Sequence, residues 1–452
     1  MEPLKGNNPD TQRSEGVLTK QRRIAELARE HPQMAFTSLN HYLDEEWLAE
    51  AVDRVRADSA PGVDGQSLAD YKQGLAERLR DLLHRAKSGH YVAPPVKRVH
   101  IPKGDGKETR PIGMPTIEDK VLQRAVVMVL EPIYEQDFKF FSFGFRSGRS
   151  AHQALELLWR QTMNRNIRWI LDVDIRKFFD TLDHRHLREI LQHRVKDGVI
   201  LRMIGKWLNA GIMEKNQLTY PEEGTPQGGV ISPLLSNLYL HEVLDRWWEE
   251  MVQPVLRGNA FLVRYADDFV MGFELQSDAQ RVYRVIFQRF EKFGLSLHPE
   301  KTRLVPFGRP GGAQGEPTLP PQTFDFLGFT HYWGKTRKGR WTVVRKTSRK
   351  RLNRALKAVN KWCQENRHKG LRVQVETLGR KLKGHYGYYG ITGNIRQLQQ
   401  FHWRVIRVWR YWLNRRSREP GSMPWERMHR LLQFWYLPPA RVVHSAFAKP
   451  CF

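Results

Sequence analysis

Two aspartate-rich stretches interrupt apolar sequence, and their spacing is suited to holding divalent cations. Asp172 and Asp174 lie two residues apart in an apolar run, so the alternation of side chains along a strand puts both on one face. Asp267 and Asp268 are adjacent between two apolar segments, where like charges repel and are costly to bury. A polar turn is the plain alternative, but Phe269 follows where turns favour Gly or Asn. We therefore expect carboxylates from both stretches to bind Mg²⁺.

One aspartate at the end of the first stretch and the two adjacent aspartates of the second would give a site of three carboxylates. Such a site is suited to phosphoryl transfer. Two Mg²⁺ ions about 3.5–4 Å apart can activate an attacking hydroxyl and stabilise a leaving pyrophosphate. Either stretch alone supports such a site only weakly, whereas both stretches together in one basic chain favour it strongly.

The elements that position these aspartates are predicted from apolar periodicity and turn residues. Residues 167–175 predict a buried strand, and residues 260–273 predict two strand halves broken by the paired aspartates. Another strand pair is predicted around a tight turn at 103–107, and a hairpin around 334–339. Helices are expected from 347 onward and also at 21–30, 44–56, 67–87, 117–138, 183–196, 230–248 and 277–293. The predicted fold class is α+β.

The chain is basic and long enough for about two to four domains. Its 452 residues include 74 Lys and Arg against 48 Asp and Glu, a formal net charge of +26. This excess indicates a polyanionic partner, above all nucleic acid. No run of ~18 apolar residues predicts a membrane span, and the polar N-terminus does not resemble a secretory signal. The two cysteines, Cys363 and Cys451, cannot form a disulfide framework, so a reducing, cytoplasmic location is expected.

The positive charge is concentrated in the last quarter of the chain. Residues 340–452 contain 26 Lys and Arg against 4 Asp and Glu, a net charge of +22, which leaves +4 for the rest. A solvated helix face normally mixes both signs. We therefore interpret this quarter as a module that binds phosphates.

One predicted helix in that quarter separates apolar from basic side chains. At ~100° per residue the apolar stripe consists of Leu398, Phe401, Val405, Val408 and Trp412. The opposite face carries arginines interleaved with aromatic residues, namely Arg396, Trp403, Arg404, Arg407, Arg410 and Tyr411. Such a face suits RNA, with guanidinium groups on phosphates and rings on bases or sugars. The preceding helix adds Arg351 and Arg354 for contacts with the RNA backbone.

Tyr265-Ala266-Asp267-Asp268 resembles the tyrosine–x–aspartate–aspartate box of reverse transcriptases. Six further blocks of that family match in the same order along the chain, at residues 99–113, 142–150, 174–180, 224–233, 294–302 and 326–329. In detail these blocks are similar to those of group II intron-encoded reverse transcriptases, also called maturases, over residues 36–445. The probability that seven blocks match in the same order by chance is negligible.

The resemblance implies a right-hand polymerase in which an antiparallel sheet and helices form the palm and fingers. We expect a loosely held N-terminal arm at 1–35, an N-terminal extension and fingers at 36–165, and a palm with fingers elements at 166–335. An all-α basic thumb, or maturase X domain, is expected at 340–452. The implied partners are an RNA template, intron RNA, a DNA primer or target DNA, and dNTPs, for a monomer or homodimer without a membrane.

The resemblance also implies roles for individual side chains. Asp174, Asp267 and Asp268 are expected to be the catalytic, metal-binding triad, with Asp172 hydrogen-bonded behind them or, alternatively, touching metal. Phe179 is expected to reject a 2′-hydroxyl, although an ordinary core aromatic would fit the same position.

The other implied contacts surround this triad. Lys103, Arg110 and Gln227 are expected to contact the incoming nucleotide. Tyr265 and Lys301 are expected to support the primer and the active site, and Arg146 and Arg149 to contact the template. A solvated turn lysine is the alternative for Lys103.

One departure from the family concerns the C-terminus. Many members continue into a DNA-binding region and an endonuclease with paired cysteines and histidines, and no such segment precedes Phe452. We therefore expect any mobility to use existing DNA 3′ ends. Two further functions stay open: a domesticated relative in DNA repair or phage defence without an intron, and an RNA-binding splicing cofactor with an inactive polymerase. The intact triad argues against the second.

Overall fold

The computed structural model describes residues 9–103, 108–214, 217–220, 224, 228–311, 320–416 and 423–445. Helices dominate the first third of the chain: α1 (Pro9–Glu30), α2 (Glu45–Asp53), α3 (Leu68–Tyr71), α4 (Leu75–Ser88), α5 (Ile117–Asp137) and α6 (Ala151–Asn164). The strands β1 (Val96–Lys103) and β2 (Glu108–Met114) lie between α4 and α5.

The middle of the chain alternates strands and helices. In order these are β3 (Trp169–Asp174), α7 (His184–Gln192), α8 (Gly198–Leu208), β4 (Ile212–Glu214), β5 (Gln217–Thr219) and α9 (Ser232–Leu240). The helix α9 continues as π-helix through His241–Arg246 and Trp248–Val252. Then follow β6 (Ala260–Tyr265), β7 (Asp268–Phe273), α10 (Gln276–Glu291), β8 (Arg303–Pro306), β9 (Phe324–Phe326), β10 (Phe329–Lys335) and β11 (Trp341–Thr347).

The remaining described elements are helical: α11 (Arg349–Glu365), α12 (Leu371–Tyr389), α13 (Ile395–Leu413) and α14 (Trp425–Phe434). None of the helices in the described ranges combines the length and the apolar character needed to cross a membrane.

The described strands form three sheets. Their strand orders are β2-β1-β4-β5, β6-β7-β3-β8 and β11-β10-β9. In the β6-β7-β3-β8 sheet, which we call the central sheet, β3 pairs antiparallel with both β7 and β8. The mixed α and β class expected from the sequence is therefore confirmed.

Apolar side chains cover both faces of the central sheet. Phe269, Met271 and Phe273 of β7 point into a large core shared with α5, α9 and α10. Val270, together with Ile170 of β3, points to the opposite face, which α6 and the β9–β11 sheet cover. A third buried cluster lies among α11–α14. Asp172 and Asp174 alternate along β3 with Leu171 and Val173, which point into the large core. The two aspartates therefore lie on the same face of the sheet as Ile170.

The N-terminal arm differs from the expected loose segment. Helix α1 begins at Pro9 instead of residue 21, and Val17, Ile24 and Ala28 are buried along it. The side chain of Gln21 also donates a hydrogen bond of 2.8 Å to the Met128 carbonyl of α5. These apolar residues lie at helical spacing within polar sequence, so α1 belongs to the large core.

Three other boundaries differ from prediction. The helix expected at 67–87 is broken at Gly74, whose φ of +67° separates α3 from α4. The helix expected at 230–248 forms, but it is π-helical from His241. The hairpin of β10 and β11 pairs residues 329–335 with 341–347, so it crosses the predicted palm–thumb boundary and the helical segment begins at Arg349.

Candidate active site

The paired aspartates lie at a tight turn between β6 and β7. Tyr265 and Asp268 are partners in the strand register, which leaves Ala266 and Asp267 at the tip. We call residues 265–268 the aspartate turn. Ala266 has a φ of +57°, a left-handed conformation that a residue with a side chain adopts only when its surroundings hold it.

Strand β3 brings the upstream aspartate to this turn. Asp174 is the partner of Asp268 in the register between β3 and β7, and side chains directly opposite in an antiparallel pair have Cβ atoms about 4.5–5.5 Å apart. Asp172 lies opposite Val270 and accepts a hydrogen bond of 3.1 Å from Arg303. The sequence therefore correctly predicted which carboxylates meet, while the role of each remains a prediction.

The pKa values of Asp172, Asp267 and Asp268 are raised. Burial, and then the neighbouring carboxylates of Asp172 and Asp267, raise the pKa of Asp268 to about 7. Burial also raises the pKa of Asp267, although Arg110 opposes this shift. For Asp172, burial raises the pKa to about 6 despite the Arg303 guanidinium. Several carboxyl groups that oppose one another's ionisation favour the binding of a cation.

The carboxylates near the aspartate turn suit a divalent cation by their chemistry but not by their present placement. As they stand, the described residues contain no group of three or more Asp, Glu, His or Cys side chains placed to hold a metal ion. One Asp174 oxygen is engaged by Lys301, whose Nζ lies 3.1 Å away. The donor set nevertheless fits in kind, because the carboxylates of Asp174, Asp267 and Asp268 would supply hard oxygen ligands and an excess of negative charge. Asp174 would have to exchange Lys301 for the ion.

A cleft of about 730 Å³ opens beside these carboxylates. Asp174 and Asp267 line it together with Arg110 of β2, Phe179 and Lys301. Phe179 is half-buried and meets the buried Phe178 edge-to-face at 5.4 Å between ring centroids. An acidic floor facing a cationic rim is suited to a ligand that carries both a metal ion and phosphates.

Two of the predicted nucleotide contacts fall outside the described side chains. Gln227 lies outside the described residues, and of Lys103 only the backbone at the end of β1 is described. Nearby, Gly224 has a φ of +90°, and a Cβ there would lie 2.9 Å from the Phe179 carbonyl oxygen. Only glycine allows the chain to pass this close to Phe179.

A second strained turn touches Asp268 from the other side. Leu327 has a φ of +49°, and its backbone N–H donates a hydrogen bond to Asp268. The Leu327 carbonyl accepts a hydrogen bond of 2.9 Å from the Tyr388 hydroxyl of α12. Leu327 therefore connects helix α12 to the aspartate turn.

Sequence reasoning missed a buried ion pair behind the aspartate turn. Arg264 and Asp245 are both fully buried, and their closest contact is 2.5 Å. Burial alone would raise the pKa of Asp245, but the Arg264 guanidinium holds the pKa below its ordinary value. The available signal was an arginine inside the apolar strand β6, since a charge buried there needs a partner.

Most of the predicted RNA-binding side chains lie on the surface. Trp403 is 51% exposed and Tyr411 is 46% exposed. The arginines that are exposed or half-exposed are Arg149, Arg351, Arg354, Arg396, Arg404, Arg407 and Arg410. The guanidinium of Arg407 lies 4.5 Å from the Trp403 ring centroid, so arginine and aromatic groups do form a mixed surface.

The structure corrects the prediction for Arg146. Arg146 is only 7% exposed; it pairs with Glu135 at 2.9 Å and donates to the Ser142 carbonyl at 2.7 Å, so it is not available to a template. Arg410 is half-exposed, donates to the Met423 carbonyl at 3.0 Å and lies 4.4 Å from the Trp425 ring centroid. Its contact with RNA stays a prediction.

The apolar stripe of α13 also differs from its helical wheel. Leu398, Phe401 and Val405 are buried as expected, but the stripe continues through Trp409 and Leu413. Val408 and Trp412 are only half-buried. The Trp409 indole donates a hydrogen bond of 2.8 Å to Gln374 of α12, so packing between α12 and α13 selects the buried tryptophan.

A sheet that opposes a strand-end aspartate to a tandem aspartate turn, beside a cleft with a cationic rim, is the arrangement expected of a nucleotide polymerase. The comparison with known families agrees. Residues 101–331 match the family described as reverse transcriptase (RNA-dependent DNA polymerase). Since the match covers a little over half of the chain, the protein belongs to the reverse transcriptase family, whose members use divalent metal ions and have a right-hand polymerase fold.

Several known proteins are similar to this chain over part of its length. Protein YkfC of Escherichia coli is 37% identical over 291 residues, which cover 56% of this chain and 75% of that protein. The group II intron-encoded protein LtrA of Lactococcus lactis is 37% identical over 230 residues, 50% of this chain and 37% of LtrA. Nuclear intron maturase 4 of Arabidopsis thaliana is 28% identical over 151 residues, 32% and 18% of the two chains. Beyond the reverse transcriptase family, the chain is thus similar to proteins named for group II introns and intron maturases, and it spans only about a third of LtrA.

Proposed function

We propose that this protein copies RNA into DNA at the aspartate turn with two Mg²⁺ ions, and that it also binds intron RNA as a splicing maturase that supports intron mobility. The observation that carries the polymerase part is the register of β3 and β7, which opposes Asp174 to Asp268. Asp174 and Asp267 both face the cleft, as a shared metal pair requires.

In this proposal each side chain has a part. Two Mg²⁺ ions supply charge neutralisation and an activated primer hydroxyl when bound. Asp174, Asp267 and Asp268 would hold them, and Arg110 would bind the triphosphate of a dNTP, since its exposed guanidinium faces the cleft. The Phe179 ring would pack beneath the sugar.

Lys301 is placed to exchange partners during binding. In the structure its ammonium pairs with Asp174, and both side chains are about half-exposed. When Asp174 turns to a cation, the released ammonium would face the phosphates in the same cleft. Lys301 would therefore support the primer end or the leaving group.

The maturase part of the proposal is supported by the C-terminal charge and by the names of the relatives. The net charge of +22 over residues 340–452 suits a polyanion, and α13 presents Trp403 and Tyr411 among arginines. Fingers, palm and thumb would then correspond to the predicted ranges, with the thumb beginning at α11.

Primer extension tests the polymerase. Purified protein with an RNA template, a DNA primer, dNTPs and Mg²⁺ should extend the primer, and Asp267→Ala should reduce the rate at least ~1,000-fold, since several kcal/mol of charge stabilisation are lost. Asp325→Ala removes an exposed carboxylate of the neighbouring β9 and should leave the rate unchanged. Extension by Asp267→Ala at the parental rate would show that the metal assignment is wrong.

Splicing of the RNA that flanks the gene tests the maturase. If a group II intron surrounds the coding sequence, the protein should accelerate its splicing, and Asp267→Ala should retain that effect. A protein that extends primers but binds no flanking intron would instead fit the domesticated type of relative.

A further inference from the structure

The guanidinium of Arg264 reaches the tip of the aspartate turn from behind. Its Nε and Nη2 donate to Asp245 Oδ1 and Oδ2 at 2.8 and 2.5 Å, and Nη1 donates to the Ala266 carbonyl at 3.1 Å. A two-pronged bond to a carboxylate fixes the plane of a guanidinium group. The remaining contact with Ala266 is therefore held in a set position.

A second arm of the same network closes on the turn from the side. Arg264 Nη1 also donates to Asn237 Oδ1 at 3.0 Å, and the Asn237 amide donates to the Gly144 carbonyl at 2.6 Å. Gly144 lies directly on the turn, because a Cβ placed there would be 2.2 Å from the Ala266 nitrogen. Arg264, Asn237 and Gly144 thus enclose the residue whose backbone is strained.

The helix that carries Asp245 has an unusual geometry at this point. Asp245 lies in the π-helical stretch His241–Arg246, and π-helical turns within helices are rare and are frequently found at functional sites. Asn237, one of its partners, lies on the preceding α-helical part. Both side chains are buried to at least 99%.

Stability alone does not explain such an ion pair. Desolvating two charges offsets most of their attraction, and apolar replacements of similar volume are often as stable. A role in holding geometry is the best attested reason for keeping a buried ionic group.

We propose that Arg264, Asp245 and Asn237 are positioning residues that hold Ala266 in its left-handed conformation and thereby set the direction of the Asp267 and Asp268 carboxylates toward metal ions. This inference rests on the proposed function of the aspartate turn. It predicts that the network controls metal affinity in addition to stability.

The test compares two variants of the network with a matched control. Arg264→Lys keeps the charge but loses the planar fork, and Asn237→Asp keeps the acceptor for Arg264 but loses the donor for Gly144. The control is Arg194→Lys, a guanidinium with 6% exposure that pairs with Asp137 at 3.0 Å and donates to the backbone carbonyl groups of Ala28, His31, Pro32 and Met34. Each variant is assayed at a temperature where circular dichroism shows it folded.

Two readouts are needed. Mn²⁺ binding, followed by electron paramagnetic resonance without nucleic acid, should weaken roughly 10–100-fold in Arg264→Lys and Asn237→Asp, the usual effect of removing a partner that orients metal ligands. The Mg²⁺ concentration for half-maximal primer extension should rise similarly, with partial rescue at high Mg²⁺. Arg194→Lys should change neither value while it lowers thermal stability.

The outcomes separate this inference from the proposed function. Unchanged Mn²⁺ affinity in both network variants would overturn the inference and leave a purely structural ion pair. If the unmodified protein binds Mn²⁺ but extends no primer, the polymerase proposal fails while the Mn²⁺ comparison still decides the role of the network. Should Arg264→Lys not fold, Asn237→Asp decides alone, because its carboxyl group has nearly the size and shape of the amide that it replaces.

Discussion

The carboxyl group of Asp268 lies where burial and three neighbouring carboxylates all oppose its ionisation, and its pKa is about 7. An ordinary Asp has a pKa of 3.8. Between these values the folded protein binds more protons than the unfolded chain does. Stability in the absence of metal must therefore fall as the pH rises through this range.

Asp268→Asn should reduce this pH dependence by removing the contribution of Asp268. At pH 8 in EDTA the variant should be more stable than the parent by a few kcal/mol, since one unit of pKa shift corresponds to about 1.4 kcal/mol. The difference should fade toward pH 4, where the carboxyl group is protonated in the folded state. Urea unfolding followed by tryptophan fluorescence gives both curves, and parallel curves for the two proteins would contradict the assigned environment.

Single residues also show where sequence reasoning stops. Strand alternation is local, so the shared face of Asp172 and Asp174 could be predicted. The meeting of Asp174 with the paired aspartates was expected from the chemistry of a shared metal site and from the resemblance to reverse transcriptases. Arg146 could not be assigned correctly, because its partner Glu135 lies on α5 and only the folded loop brings the two together. The bond of Arg264 to Asp245 requires the π-helical register after α9, which no periodicity rule anticipates.

Among the elements, α1 shows the largest difference between expectation and structure. The polar composition of residues 1–35 suggested a loose arm, yet Val17, Ile24 and Ala28 bury a stripe against the core. A narrow apolar stripe is enough to pack one helix against another. The overall composition of the segment does not reveal such a stripe, because polar residues dominate it.

Truncating that stripe should loosen the helix. Ile24 is 0% exposed, so Ile24→Ala should lower the free energy of opening α1 by about 2–5 kcal/mol through lost contacts and a cavity. Glu26→Ala, on the exposed side of the same helix, should change it by less than about 0.5 kcal/mol. Native-state hydrogen exchange of the α1 amides measures both, and equal small effects would indicate a loose arm.

At the scale of the whole molecule, charge is divided between a nearly neutral body and a basic C-terminal quarter. Composition alone revealed this division, because it does not depend on the fold. Which arginines have partners within the protein could not be predicted, and Arg410 contacts Met423 and Trp425. The RNA surface we propose is centred on Arg396, Arg404 and Arg407 with the exposed rings of α13.

Replacing Arg396, Arg404 and Arg407 by Gln should weaken RNA binding and reduce its dependence on salt. Each phosphate contact adds about 0.7 to the slope of log affinity against log salt for single strands, so the slope should decrease by roughly two.

Removing three exposed arginines from the neutral body, Arg56, Arg80 and Arg185, changes the net charge equally and should leave the slope as it was. Equal changes in both triple variants would mean that net charge, and not this face, binds RNA.

The central claim is that Asp174 joins the aspartate turn as a metal ligand while its neighbour Asp172 does not. Single-nucleotide incorporation by Asp174→Asn and Asp172→Asn tests it directly, because both carboxylates lie on one face of β3. We predict a loss of ~1,000-fold or more for Asp174→Asn and less than about tenfold for Asp172→Asn, whose partner Arg303 is half-exposed to water. Normal incorporation by Asp174→Asn, or an equal loss in both variants, would contradict the account.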